Sequence, residues 1–109
     1  MAIYQTSGNQ SGHNILRGVH KPNYHPTYIS AACQKLPKCQ LSPYLMVDVS
    51  HGNCENDYYN QLKVAKNIGH QIRSCHSGRS AIVGVMVESF IKEGAQEITD
   101  GKTLTYGKS

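Results

Sequence analysis

The sequence has no apolar run long enough to cross a bilayer, and its N-terminus has no basic segment followed by an apolar one, which is the pattern of a secretory signal. These two absences argue against a membrane protein or a secreted one, so we expect a cytoplasmic location and no membrane partner. The 109 residues are 39% apolar and 17% charged. This composition predicts one globular domain, or part of one, and argues against wholesale disorder.

Charge of one sign is not concentrated anywhere in the chain. The net charge is +4, and the 11 lysines and arginines are scattered. A nucleic-acid-binding protein is expected to carry a basic stripe with interleaved aromatic residues. Because no such stripe is present, we expect no nucleic-acid partner. The glycines at positions 8 and 12 do not form a phosphate-binding loop either, because no Lys-Ser/Thr pair follows them.

Closely spaced cysteine pairs are also missing. None of the four cysteines, at positions 33, 39, 54 and 75, forms a Cys-x-x-Cys pair, which argues against a structural zinc site. Without a secretory signal we expect these cysteines to be reduced thiols. Cys54 lies three residues after His51. It is either a further ligand of a metal bound there or a loop cysteine with no role.

Three apolar runs alternate with two helical patterns. The runs at residues 14–17, 44–49 and 81–87 predict strands, and helices are predicted from Pro26 or Thr27 to about residue 36 and from a cap at Asn53 or Asn56 to about residue 74. Continuously apolar strands indicate burial on both faces and a parallel sheet. The order is therefore β-α-β-α-β. Crossovers of this kind are right-handed, and the carboxyl ends of the three parallel strands are therefore expected to lie along one rim of the sheet.

Each predicted helix has an apolar face. In the first helix this face is Ile29, Ala32, Cys33 and Leu36, spaced at i, i+3, i+4 and i+7. In the second it is Tyr58, Leu62, Ala65, Ile68, Gly69 and Ile72. Residues 76–78 are predicted to close that helix, and residues 91–109 show no strong periodicity and are predicted to be loop.

Charged side chains follow each predicted strand. Arg17 is either a surface residue or an anion-binding one, since a guanidinium offers a planar fork of donors to phosphate or carboxylate. His51 is either a hydrogen-bonded loop residue or a metal ligand. Glu88 abuts an apolar run, where a carboxylate is costly unless a cation or hydrogen bonds compensate. Asp48 lies inside its strand and is expected to pair with a cation or to orient its neighbour. Together these residues predict a metal and an anionic substrate.

Eight motifs in order and in register resemble the C-terminal third of the type I 3-deoxy-D-arabino-heptulosonate 7-phosphate (DAHP) synthases. They are Thr6-Ser7-Gly8-Asn9, Ile15-Leu16-Arg17-Gly18, Pro22-Asn23-Tyr24, Val47-Asp48-Val49-Ser50-His51-Gly52-Asn53, Gln71-Ile72, Gly84-Val85-Met86-Val87-Glu88-Ser89, Glu93-Gly94-x-Gln96 and Leu104-x-Tyr106-Gly107-Lys108-Ser109.

The resemblance implies a fold and a reaction. It implies that residues 1–109 are the C-terminal part of one (β/α)8 TIM barrel domain, with strands six to eight of the barrel. Such synthases condense phosphoenolpyruvate with erythrose 4-phosphate to give DAHP and phosphate, the first step of the shikimate pathway of aromatic amino acid biosynthesis. Arg17 matches the arginine that binds the phosphate of phosphoenolpyruvate. His51 and Glu88 match ligands of a catalytic divalent metal (Mn, Fe, Zn or Co). From its place in the strand, Asp48 is expected to lie behind these ligands.

The chain also departs from the family pattern. The family's metal site uses a cysteine from an early strand and an aspartate shortly after the Tyr-Gly-Lys-Ser motif, and neither lies within these residues. Val19 replaces a glycine of the family, and Phe90 stands where some members have a histidine. We therefore expect the 109 residues alone to be inactive and, with open strand edges, to form a homo-oligomer.

Two further interpretations stay open at this point. One is a non-catalytic remnant or a regulatory or assembly module derived from this barrel. The other is a bare metal-binding module that uses His51 and Glu88, with or without Cys54.

Overall fold

The computed structural model describes residues 1–75 and 80–109, in which three parallel strands alternate with two α-helices. The elements are β1 (Asn14–Leu16), α1 (Pro26–Lys35), β2 (Leu45–Asp48), α2 (Tyr58–Arg73) and β3 (Ile82–Met86), with short 3-10 helices at Pro37–Cys39 and His51–Cys54. The predicted βαβαβ order is confirmed. The predicted closure of the second helix at residues 76–78 lies outside the described residues.

The three strands form one parallel sheet in the order β1-β2-β3. Ile15 pairs with Met46 and Met46 with Gly84, so these three positions form one row across the sheet. Since β2 is the central strand, β1 and β3 are the two edges. All three strands run in the same direction, and their carboxyl ends therefore lie along one side of the sheet.

The core lies between β2 and the two helices. Leu45 and Val47 in β2, and Val49 directly after it, are at most 1% exposed, because alternate residues point to the face that the helices cover. Ile29 from α1 and Ile68 from α2 complete this cluster. The face predicted for the first helix is confirmed for Ile29, Ala32 and Cys33, which pack in or against the core. Leu36 is the C-cap of the helix and is half-buried.

Burial of the strands on both faces, predicted from their apolar composition, is wrong for the edges of the sheet. Ile15 in β1 is 44% exposed, and Val83 and Val85 in β3 are 55% and 46% exposed. Val85 shares the row of Val47 on the face that packs against the helices, but the helices do not extend over β3. Ile15 shares the row of Met46 on the opposite face of the sheet, away from the helix-side core. Within the described residues, the outer sides of β1 and β3 have no neighbouring strand.

The predicted buried face of the second helix is only partly correct. Val64 and Ile68 are 1% exposed, whereas Leu62 is 68% exposed. The helix has two apolar sides, and packing against β2 selects the side that contains Val64. The helix also begins later than predicted, because its N-cap is Asp57, whose carboxylate accepts a hydrogen bond from the Tyr59 N–H at 3.0 Å.

Residues 91–109 form the predicted loop, tied together by Gln96. The amide of Gln96 donates to the carbonyls of Thr105 and Lys108, both at 2.9 Å, and accepts from the Thr105 N–H at 2.9 Å. The segment has one isolated bridge, between Lys92 and Lys108. Across residues 1–75 and 80–109, no helix combines the length and the apolar character needed to span a membrane.

Candidate metal centre and anion site

Asp48 is the centre of the polar cluster at the carboxyl ends of the strands. Its side chain is fully buried, and its Oδ1 accepts a hydrogen bond from the Ser50 N–H at 2.7 Å. Its Oδ2 lies 2.8 Å from Nδ1 of His51 and 4.0 Å from Nε of Arg17. A buried carboxylate needs such donors, because it has lost its hydration. Asp48 therefore connects the side chains predicted to bind an anion and a metal.

His51 is held in place by its backbone and by Asp48. Its φ of 51° lies in the left-handed region, which is uncommon for a residue with a side chain and is sustained only by surrounding contacts. An ionised carboxylate only accepts hydrogen bonds, so Nδ1 of His51 carries the proton that faces Asp48. In the neutral imidazole this leaves a lone pair on Nε2. Nε2 is the atom from which the ring can bind a metal.

Glu88 meets His51 from the end of the neighbouring strand. Its backbone N–H donates to the hydroxyl of Ser50 at 2.9 Å, which ties the end of β3 to the end of β2. Its Oε1 lies 3.3 Å from Nε2 of His51. Two atoms with lone pairs that face each other at this distance need a proton or a cation between them. The pair is therefore a place where positive charge is stabilised.

The separation of these two atoms fits two ligands of one metal ion. Metal–nitrogen and metal–oxygen bonds of about 2.1 Å at a tetrahedral angle would separate the two donors by about 3.4 Å. The 3.3 Å between His51 and Glu88 agrees with this value. No group of three His, Cys, Asp or Glu residues that could hold a metal occurs in residues 1–75 and 80–109. The structure thus contains a pair of side chains, His51 and Glu88, with Asp48 behind it, and this pair is called the half-site below.

Arg17 lies next to this half-site but is more open. Its side chain is 58% exposed, and its contact with the cluster is the 4.0 Å approach to Asp48. A guanidinium at this distance keeps most of its donors free for another anion. The structure therefore brings Arg17 to the same rim as His51 and Glu88, as expected from the parallel strands, and leaves it accessible.

Cys54 is buried next to His51 and is hydrogen-bonded to the backbone of that residue. Its thiol donates to the carbonyl of His51 at 3.4 Å and is buried. Burial raises the pKa of the Cys54 thiol, although hydrogen bonds from the backbone of Asn56 and Asp57 and of Cys54 itself oppose the shift. A metal bound nearby would have to displace this proton before Cys54 could serve as a ligand.

A cavity of about 940 Å³ adjoins the half-site, and its lining includes His51 and Glu88. Its apolar wall includes Leu62, which was predicted from the sequence to lie on the buried face of the second helix. Tyr58 and Glu93 also line this cavity; the hydroxyl of Tyr58 donates to a carboxylate oxygen of Glu93, and this hydrogen bond raises the pKa of Tyr58. The half-site therefore opens onto a space large enough for a small-molecule ligand.

Two residues of this rim were missed as functional candidates. Ser50 joins β2 to β3 through its hydroxyl, and Asn53 was considered only as a helix cap. Both are almost fully buried, at 3% and 2% exposed. The sequence feature that could have identified them is their position in the run Ser50-His51-Gly52-Asn53, directly after a buried strand. A polar side chain buried there needs hydrogen-bond partners to offset the cost of its desolvation.

Comparison with known proteins gives one consistent result. Residues 1–109 match the model of the DAHP synthetase I family. The chain is 52% identical over 109 residues to a Trp-sensitive phospho-2-dehydro-3-deoxyheptonate aldolase of Escherichia coli O6:H1, covering all of this chain and 30% of that protein. It is 50% identical to the Trp-sensitive enzyme of Buchnera aphidicola, with the same coverage of each chain.

A solved structure is similar over nearly the whole chain. The phospho-2-dehydro-3-deoxyheptonate aldolase of Francisella tularensis superposes with a TM-score of 0.80 and 42% sequence identity, covering 99% of this chain and 30% of that one. The chain thus spans about 30% of the length of the relatives that it matches.

Proposed function

The chain belongs to the DAHP synthetase I family, and on this premise we propose that it supplies part of the active site of a metal-dependent DAHP synthase. The proposed reaction is the condensation of phosphoenolpyruvate with erythrose 4-phosphate. The observation that carries this proposal is the convergence of Nε2 of His51 and Oε1 of Glu88 at 3.3 Å on a rim that also contains Arg17.

Each residue of the rim has a proposed role. His51 and Glu88 would hold a divalent ion such as Mn, Fe, Zn or Co, which when bound would supply Lewis-acid polarisation of a substrate carbonyl. Asp48 keeps the proton of His51 on Nδ1, so that Nε2 stays available as a ligand. Arg17 binds the phosphate of phosphoenolpyruvate and offsets its charge.

A barrel origin for this sheet is part of the same proposal. A sequential order of parallel strands, with helices on one face, is the local geometry of a (β/α)8 barrel, and here β1-β2-β3 follow in sequence. Barrel enzymes carry their sites at the carboxyl ends of the strands, which is where the polar cluster lies. We infer that residues 1–109 belong to a single barrel domain and correspond to its sixth to eighth strands.

Calorimetric titration of the chain with Mn²⁺, with and without phosphoenolpyruvate, tests the proposal. We expect binding that weakens about tenfold or more in Glu88→Ala, because one of two ligands is removed. Glu97→Ala is the matched control, since it removes the same charge from an exposed loop position and is expected to leave the affinity unchanged. Binding that is the same in all three proteins would place the metal elsewhere and contradict the proposal.

An assembly role is the second candidate, and the open sheet edges favour it. Exposed edge strands offer unpaired backbone groups to another chain, and Ile15, Val83 and Val85 add apolar surface there. We expect the isolated chain to self-associate and to lack synthase activity. Light scattering that gives the mass of one chain, together with a cooperative thermal transition, would contradict self-association. The cytoplasmic location and the absence of nucleic-acid and membrane partners stay predictions.

A further inference from the structure

We propose that Asn53 is a positioning residue that holds the loop carrying Arg17 against the loop carrying His51, an inference that rests on the proposed function of those two residues. The Asn53 side chain is 2% exposed. Its Nδ2 donates to the carbonyl of Leu16 at 3.0 Å and to that of Asp48 at 2.7 Å. Leu16 and Asp48 are the last residues of β1 and β2. One side-chain amide therefore bridges the ends of two adjacent strands.

The same residue is bound to both ends of the loop that follows β1. Its backbone N–H donates to the carbonyl of Arg17 at 3.2 Å, and its Oδ1 accepts from the Asn23 N–H at 2.7 Å. Arg17 begins this loop and Asn23 lies near its end. The loop is thus closed onto a single residue of the neighbouring turn, which limits where the guanidinium can be.

Only one orientation of the Asn53 amide satisfies these partners. Two carbonyl oxygens face its NH₂ group, and one N–H faces its oxygen. Exchanging nitrogen and oxygen would set an acceptor against two acceptors and a donor against a donor. With both N–H groups and the oxygen in use, the buried amide is fully satisfied. Such a group fixes the geometry of what it joins.

Two glycines show how closely the two loops approach each other. A Cβ added to Gly52 would lie 2.5 Å from the carbonyl carbon of Gly18, and a Cβ added to Gly18 would lie 2.8 Å from the backbone nitrogen of Asn53. Gly18 also has a φ of +68°, which favours glycine. The backbones of the loops are in direct contact, and the side chain of Asn53 lies beside this contact.

The hydrogen bonds that orient the side chains of His51 and Glu88 are separate from this amide, which contacts Asp48 at its backbone carbonyl. Asp48 and Ser50 orient His51 and Glu88 through their own hydrogen bonds, none of which uses the Asn53 side chain. Loss of the amide should therefore displace Arg17 and leave the half-site in place. A positioning role for Asn53 therefore predicts weaker binding of an anion at Arg17 and unchanged binding of a metal at the half-site. A general loss of stability would weaken both kinds of binding.

Titrations of the full chain with phosphoenolpyruvate and with Mn²⁺ test the inference in Asn53→Ala. We expect the affinity for phosphoenolpyruvate to fall about tenfold or more, since small misplacements at such sites have effects of this size, and the Mn²⁺ affinity to stay within about threefold. Asn60→Ala is the matched control, because Asn60 also donates its amide to a loop carbonyl, that of Cys54 at 3.2 Å. Equal losses for both ligands, or unchanged affinity for phosphoenolpyruvate, would overturn the proposal.

A nuclear Overhauser contact between Gly18 and Gly52 gives a readout that needs no ligand. We expect this contact in the wild-type chain, together with slow exchange of the Asn53 side-chain protons relative to those of Asn60. In Asn53→Ala the loop contact should disappear while contacts between β2 and β3 persist. A loop contact that survives the substitution, or that is missing from the wild-type chain, would refute the role of Asn53. A wild-type chain that binds neither ligand contradicts the proposed function, and the loop contact then decides the role of Asn53 by itself.

Discussion

Asp48→Asn is the substitution that tests the candidate metal centre most directly. Both oxygens of Asp48 accept hydrogen bonds, one from the Ser50 N–H at 2.7 Å and one from Nδ1 of His51 at 2.8 Å. Asparagine has one oxygen and one NH₂ group in place of the two carboxylate oxygens, so it can accept a hydrogen bond from the Ser50 N–H or from Nδ1 of His51 but not from both. If its oxygen stays with Ser50, its NH₂ group faces His51. The imidazole must then move its proton to Nε2, the atom proposed to bind the metal.

The size of the effect follows from this change of tautomer. Loss of a hydrogen-bond partner behind a metal ligand lowers metal affinity by about 10–100-fold, which is about 1.4–2.8 kcal/mol. We expect a value near the upper end, because the Asp48 side chain is 0% exposed and water cannot replace its carboxylate. Titration with Mn²⁺ or Zn²⁺ measures the affinity, and ¹⁵N spectra of the His51 ring identify the tautomer.

Asp57→Asn is the matched control for this experiment. It makes the same change of charge, and asparagine is as good an N-cap as aspartate, so α2 should keep its start. We expect its metal affinity to equal that of the wild type. A loss of less than about threefold in Asp48→Asn, or a ring proton that stays on Nδ1 of His51, would refute the reasoning.

Three further predictions concern stability and reactivity. Gly52→Ala should lower the free energy of unfolding in urea by about 2 kcal/mol or more, because the added Cβ would lie 2.5 Å from a backbone atom. Gly12→Ala is the control and should have little effect, since the nearest atom to its Cβ would be 3.9 Å away. Equal losses of unfolding free energy in the two variants would contradict the close contact at Gly52. Since burial raises the pKa of the Cys54 thiol, single-cysteine variants should react with a disulfide reagent about tenfold more slowly at Cys54 than at the exposed Cys39, and equal rates would show that the thiol is accessible. Tyr58→Phe should lower the melting temperature at neutral pH, and this difference from the wild type should shrink as pH rises past the ordinary tyrosine pKa of 10.0. The pKa of Tyr58 is raised in the folded chain, so the unfolded chain loses the phenol proton first and the stabilisation by the hydrogen bond is lost at alkaline pH. A difference in melting temperature that does not change with pH would contradict this.

The order of elements and the meeting of charged residues at one rim could be predicted from the sequence. Apolar runs and helical spacing specify local structure, and parallel strands bring their carboxyl ends together whatever the loops do. His51 and Glu88 lie close together for that reason. Their roles as ligands, and that of Arg17 as an anion site, stay predictions.

The sequence could not predict which apolar side of α2 would be buried. Leu62 and Val64 are both apolar, and the choice between them depends on how the helix packs against β2, which is a long-range property. The role of Asn53 was hidden for a similar reason. Its partners Leu16 and Asn23 lie 37 and 30 positions away, and an asparagine near a helix start is more simply interpreted as a cap.

The backbone contact between Gly18 and Gly52 limits how this rim can evolve. A side chain at either position would force the two loops apart, and the amide of Asn53 would then no longer reach both strand ends. New specificity is therefore more accessible through residues that point away from this contact, such as the exposed Val19, than through either glycine. In a selection experiment, substitutions at Gly18 and at Gly52 should both be lost, singly and in combination, because each adds a clash with the backbone of the other loop.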